Sequence, residues 1–93
     1  MVNNKIKKLR KELDKLDNLF LKLIKKRTNL VNQVLANKTK KKEIIDRKRI
    51  QIVLKNISKK SKKNNLDQIL TNKIWKSMIN AYIDYEFRKF KKK

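Results

Sequence analysis

Residues 6–34 have the sequence IKKLRKELDKLDNLFLKLIKKRTNLVNQV, in which apolar residues recur at alternating steps of three and four. This spacing aligns the apolar side chains along one stripe of a helix and is typical of a heptad repeat. We call the stripe the apolar seam; its members are Ile6, Leu9, Leu13, Leu16, Phe20, Leu23, Leu30 and Val34. The pattern predicts one long helix over residues 5–38, with a gap in the seam at position 27.

The length of this helix predicts a homodimer. Such a helix would be roughly 50 Å long, whereas a compact monomer of 93 residues is only about 25–30 Å across. The helix therefore extends beyond its own domain, and a second copy of the chain is needed to cover the apolar seam.

The rest of the chain contains two shorter helical patterns and no sustained strand alternation. The first runs over residues 44–58 and is followed by a predicted loop, KKSKKNN, at residues 59–65. The second opens at Leu66-Asp67, where Asp67 is a suitable N-cap, and stays apolar to Phe87. The prediction is an all-α fold of three helices, one long and two shorter, in a single domain spanning residues 1–93.

The composition excludes several kinds of chemistry. The chain has no cysteine, histidine, glycine or proline. Disulfides, thiolate metal sites, histidine-based triads and glycine-rich phosphate loops are therefore impossible. Reactive groups must come from Lys, Arg, Asp, Glu and hydroxyl side chains, and we expect neither a metal nor a cofactor.

The charge balance points to an anionic partner. Lys and Arg number 29 against 8 Asp and Glu, which gives a formal net charge of +21. Nucleic acid, a membrane surface or a small acid would all fit such a charge. However, 24 of the basic residues are lysine, and Asn and Ile are also abundant, which indicates codon drift in a low-GC genome. Lysine cannot replace the planar guanidinium fork of arginine, so the arginines are the informative cations. They are Arg10, Arg27, Arg47, Arg49 and Arg88.

No apolar run approaches the ~18–20 residues of a membrane span. The N-terminal segment MVNNKIKKLRKEL also lacks the apolar core of a signal peptide. We expect a cytoplasmic protein without membrane contact.

Two cations occupy positions of the seam where apolar residues are expected. Arg27 fills the gap, and Lys38 falls on the seam four residues after Val34. Because burying an unpaired cation costs several kcal/mol, each needs a partner. Arg27 either packs against an internal acid or binds an anionic ligand, and Lys38 either does the same or lies beyond the end of the helix.

The third helix carries the opposite anomaly, an acid on an apolar face. Trp75, Ile79 and Tyr82 are followed on that face by Glu86. Glu86 either snorkels to solvent at the helix end or lies in a pocket as a neutral hydrogen-bond donor.

Two further arginines have alternative interpretations. Arg49 lies one turn from both Ile45 and Val53, so it faces either inward or the surface. Arg10 flanks the seam and either reaches a second chain or forms a weak surface pair with Asp14.

Taken together, these residues resemble those of the all-helical class of chorismate mutases and the related isochorismate-pyruvate lyases. The similarity lies in LRKELDKLDNLFLKLIKKR at residues 9–27, NLVNQVLANK at 29–38, IIDRKRIQIVLKNI at 44–57 and NLDQILTNKIWKSMINAYIDYEF at 65–87. It extends over nearly the whole chain.

The resemblance implies an intertwined homodimer with two active sites shared between the chains. Arg10 matches an arginine that reaches the partner's site, and Arg27 matches one that binds substrate. Lys38 and Glu86 match the residues that act at the ether oxygen of chorismate. Three further matches complete the implied site as substrate-binding positions: Asp46, Arg49 and Tyr82.

Two departures from the mutase pattern concern the substrate and look more like the isochorismate-pyruvate lyase branch. Ile50 follows Arg49 where many mutases have Glu, and Tyr82 stands where many have Ser. The expected activity is the rearrangement of chorismate to prephenate in aromatic amino-acid biosynthesis. The alternatives are an isochorismate-pyruvate lyase and, from another class, a basic helical module that binds nucleic acid, which we expect less because no binding-helix motif is present.

Overall fold

A computed structural model describes residues 3–91 of the chain. The α-helices are α1 (Asn4–Ala36), α2 (Arg47–Lys63) and α3 (Gln68–Lys89), with a single 3-10 turn at Lys41–Glu43. Over residues 3–91 there is no β-strand, so the predicted all-α fold of one long and two shorter helices is confirmed. None of these helices has a stretch long and apolar enough to cross a membrane.

The chain divides into two compact units, Met1–Gln33 and Val34–Lys93. The first consists of most of α1, and the second contains the end of α1 together with α2 and α3. The single domain over residues 1–93 stays a prediction.

The apolar seam of α1 lies on the surface. Every member of the apolar seam is exposed in the single chain, with Phe20 and Leu23 each 61% accessible. An apolar patch of this kind on a protein surface marks an interaction site.

Helix α1 ends two residues earlier than predicted. Its last turn tightens into 3-10 geometry, with Asn37 N donating to Val34 O and Lys38 N donating to Leu35 O, both at 3.0 Å. Such tightening is common where a helix ends. Lys38 therefore lies outside the helix, and the expectation that it continues the stripe of Arg27 is wrong.

Helix α2 begins and ends later than predicted. Asp46 caps it by accepting a hydrogen bond from Arg49 N at 3.0 Å. Because lysine and serine do not break helices, α2 continues through most of the predicted 59–65 loop to Lys63. Ser61 supports this extension, since its Oγ lies 2.7 Å from both Ile57 O and Thr71 Oγ1 on α3.

The turn between α2 and α3 is closed by asparagine in place of glycine. Asn65 has φ 56°, the left-handed conformation that usually requires glycine after a helix. Leu66 N donates to Ser61 O at 2.8 Å and Asn65 N to Lys62 O at 3.2 Å, the two bonds of a Schellman motif. Asp67 then caps α3 through Ile69 N and Leu70 N, which confirms the predicted N-cap.

Helices α2 and α3 pack against each other as a hairpin. Along α3, Trp75, Ile79 and Tyr82 are half-buried and Glu86 is buried, so the predicted stripe does face the interior of this unit. The buried apolar residues of the described chain are few: Leu35 and Ile44.

Candidate active site

The centre of the candidate site is an ion pair between Lys38 and Glu86. Lys38 Nζ lies 3.2 Å from Glu86 Oε1, although the two residues are 48 positions apart in the chain. The side chains are only 16% and 10% exposed. Glu86 thus points into the second unit toward a cation, and the snorkelling interpretation is wrong.

The connection after α1 and the last turn of α3 supply the two partners. Lys38 follows the final turn of α1, and its Nζ also donates to the Ile44 carbonyl at 3.4 Å. Ile44 is only 3% exposed, so this carbonyl is anchored by a buried side chain. An ammonium has three N–H donors, and these two contacts leave one available for a ligand.

An open cavity of about 520 Å³ lies beside Lys38. Its volume falls in the usual range for small-molecule sites. The cavity is lined by residues of the connection and of the start of α2, and all but one of them are charged. They are Lys38, Glu43, Ile45, Asp46, Arg47 and Lys48.

Three more predicted site residues belong to the same second unit as Lys38 and Glu86: Asp46, Arg49 and Tyr82. Asp46 lines the cavity and caps α2, while Arg49 occupies the first turn with an exposed side chain. The inward interpretation of Arg49 relied on a helix that included Ile45, but α2 begins only at Arg47. Tyr82 is half-buried one turn before Glu86, with its ring centroid 6.2 Å from that of Tyr85 in an edge-to-face arrangement.

The other two predicted site residues, Arg10 and Arg27, belong to the first unit. Both are exposed on α1. Within residues 3–91, Arg10 forms no ion pair, so the alternative of a surface pair with Asp14 is not seen.

Sequence reasoning missed two contributors to the site, Glu43 and the carbonyl of Ile44. Glu43 Oε1 accepts hydrogen bonds from Thr39 Oγ1 at 2.9 Å and from Lys40 N at 3.1 Å. These bonds, the first above all, together with the charge of Lys40, hold the pKa of Glu43 below its ordinary value. One sequence signal was available: Glu43 is the single acid between Asp17 and Asp46.

Among residues 3–91, no group of three acids is placed to hold a metal ion. The chemistry that the site offers is hydrogen bonding and charge. A half-buried ammonium beside a buried carboxyl group is suited to an oxygen atom that gains negative charge during a reaction.

Fold and site together define a small all-α protein in which a lysine, paired with a buried glutamate, borders a cavity rich in charged residues. The family model for chorismate mutase type II matches residues 9–87. The chain therefore belongs to the chorismate mutase type II family. Separate comparisons with curated proteins and with solved structures gave no match.

Proposed function

We propose that this protein is a chorismate mutase, an isomerase that converts chorismate to prephenate in aromatic amino-acid biosynthesis. The observation that carries the proposal is the contact between half-buried Lys38 and buried Glu86, whose Nζ and Oε1 atoms lie 3.2 Å apart. It occupies the two positions that the sequence resemblance assigns to the reacting ether oxygen. Membership of the chorismate mutase type II family supports the same activity.

The reaction is a Claisen rearrangement within one molecule. The carbon–oxygen bond of the enolpyruvyl ether breaks while a carbon–carbon bond forms between the enolpyruvyl methylene and the ring. The rearrangement needs no proton transfer, nucleophile or redox partner, which suits a chain without histidine or cysteine. The protein's task is to select the compact substrate conformer and to stabilise charge at the ether oxygen.

Each proposed site residue has a role in that task. Lys38 and Glu86 bracket the ether oxygen, to which the Lys38 ammonium donates a hydrogen bond. Arg27, and Arg10 from the partner chain, clamp the two substrate carboxylates through their planar forks. The remaining residues support these contacts: Asp46, Arg49 and Tyr82.

Incubation with chorismate tests the proposal directly. We expect the purified protein to consume chorismate and to form prephenate at a rate well above the uncatalysed one. A parallel incubation with isochorismate tests the lyase alternative, because that activity would release pyruvate and salicylate. Absence of prephenate formation would refute the proposed function.

We also propose that the active protein is a homodimer with shared sites, because the whole apolar seam is exposed in one chain. At micromolar concentration, sedimentation equilibrium is expected to give about twice the chain mass of 11.3 kDa, since burial of apolar surface drives such association. A well-folded monomer would contradict this expectation and would remove the role given to Arg10.

Ile50 is expected to weaken binding of the chorismate hydroxyl. It is half-buried beside Arg49 and has no hydrogen-bond acceptor in its side chain. Ile50→Glu should therefore lower the KM for chorismate by several-fold. The matched control is Ile52→Glu, because Ile52 is exposed on the same helix. If Ile50→Glu leaves KM unchanged or raises it, the pocket does not recognise the hydroxyl from this position.

A further inference from the structure

The connection that carries Lys38 has a composition that opposes a compact turn. Residues 37–45 contain four lysines, one acid and neither glycine nor proline. Like charges at such spacing repel one another and favour an extended chain. The connection nevertheless contains a tight 3-10 turn at Lys41–Glu43.

The side chain of Glu43 closes this turn. Its Oε1 accepts from the hydroxyl of Thr39 at 2.9 Å and from the backbone N–H of Lys40 at 3.1 Å. The backbone adds two bonds, from Glu43 N to Lys40 O and from Ile44 N to Lys41 O, both at 3.0 Å. These bonds are charge-assisted, and by favouring the ionised carboxylate they lower the pKa of Glu43.

The closed turn is followed directly by Ile44, whose carbonyl oxygen contacts Lys38. Ile44 directly follows Glu43; its side chain is buried and its carbonyl accepts from Lys38 Nζ at 3.4 Å. The same Nζ lies 3.2 Å from Glu86 Oε1. The direction of the Ile44 carbonyl therefore helps to set where the ammonium lies relative to Glu86.

We propose that Glu43 is a positioning residue: by tying Thr39 and Lys40 to the 3-10 turn, it fixes the Ile44 carbonyl that holds the Lys38 ammonium beside Glu86. It acts through Lys38 and not on the substrate. Its kinetic consequence rests on the proposed function, whereas its effect on Lys38 does not.

The first test measures Lys38 itself without any substrate. Reductive methylation with formaldehyde, followed by peptide mass spectrometry, gives the modification rate of each lysine. We expect Glu43→Ala to raise the rate at Lys38 at least threefold and to leave exposed Lys48 unchanged, because a loosened ammonium spends more time in solvent. Thr39→Val should give a smaller rise, and Thr39→Ser, which keeps the hydroxyl, should match the wild type.

The second test separates binding from chemistry. A displaced Lys38 loses contact with an oxygen that gains charge only in the transition state, so Glu43→Ala should lower kcat about tenfold with KM within twofold. The matched control is Glu12→Gln, which removes one acid from an exposed pair with Lys15 and should change neither readout.

The proposal is overturned if folded Glu43→Ala shows an unchanged methylation rate at Lys38, or if its kcat stays within twofold of the wild type. Should Glu43→Ala fail to fold by circular dichroism, Thr39→Val serves for the same two measurements. If the wild type does not convert chorismate, the proposed function fails, and the methylation rates alone decide the role of Glu43.

Discussion

Replacement of Lys38 by methionine is expected to remove most of the chorismate rearrangement and to destabilise the protein. The loss of one donor to the developing charge should lower kcat about a hundredfold. The buried Glu86 carboxylate, 10% exposed, then has no cation beside it. The unfolding free energy should fall by about 2 kcal/mol. Steady-state kinetics and thermal unfolding at one fixed protein concentration measure the two effects.

Two further variants separate the catalytic role of the pair from its structural role. Lys38→Met/Glu86→Gln removes both charges and should recover most of the stability but not the rate. Lys15→Met breaks the exposed pair with Glu12 and should change neither quantity, because surface pairs contribute little. A Lys38→Met variant that loses stability yet keeps its rate would show that the pair is structural alone.

Replacement of Arg27 by lysine is expected to lower kcat/KM at least tenfold. The substitution keeps the charge but removes the bidentate fork that the proposed carboxylate contact needs. Helix content should remain the same, because arginine and lysine have similar helix propensities. Steady-state kinetics with chorismate and far-UV circular dichroism measure the two quantities.

The matched control for Arg27 is Arg88→Lys. Arg88 forms an exposed pair with Asp84 at 3.5 Å and lies 6.0 Å from the Tyr85 ring centroid. The activity of the Arg88→Lys variant should therefore stay within twofold of the wild type. Equal losses at both positions would mean that overall charge matters more than the shape of the side chain.

The parts of the fold that depend on local pattern were predictable. The three helices followed from apolar spacing, and the Asp67 cap followed from a residue type that competes for the first N–H groups of a helix. The seam is a property of one helix, so its position on α1 needed no knowledge of other elements, whereas its exposure in the single chain is seen only in the structure. The anomalous positions of Arg27, Lys38 and Glu86 were also visible as interruptions of a period.

Helix ends were less predictable, because tertiary contacts decided them. The lysine-rich 59–65 segment had no glycine or proline, yet nothing local indicated that Ser61 would meet Thr71 and extend α2. Similarly, Lys38 does not lie on the seam, because its side chain contacts the Ile44 carbonyl and Glu86, both outside α1. Propensities of lysine and asparagine differ by only a few tenths of a kcal/mol, which such contacts override.

The sequence by itself determined the all-α class, the number of helices, the apolar seam, the Asp67 cap and, through its motifs, the resemblance to chorismate mutases. Only the tertiary structure decided that Lys38 and Glu86 form an ion pair, that Glu86 is buried and does not snorkel, and that Glu43 closes the connection before Ile44. The physical reason is the distance along the chain over which each interaction acts. Helical periodicity and capping act over about four residues, whereas the Lys38–Glu86 pair depends on how α3 and the connection after α1 pack together.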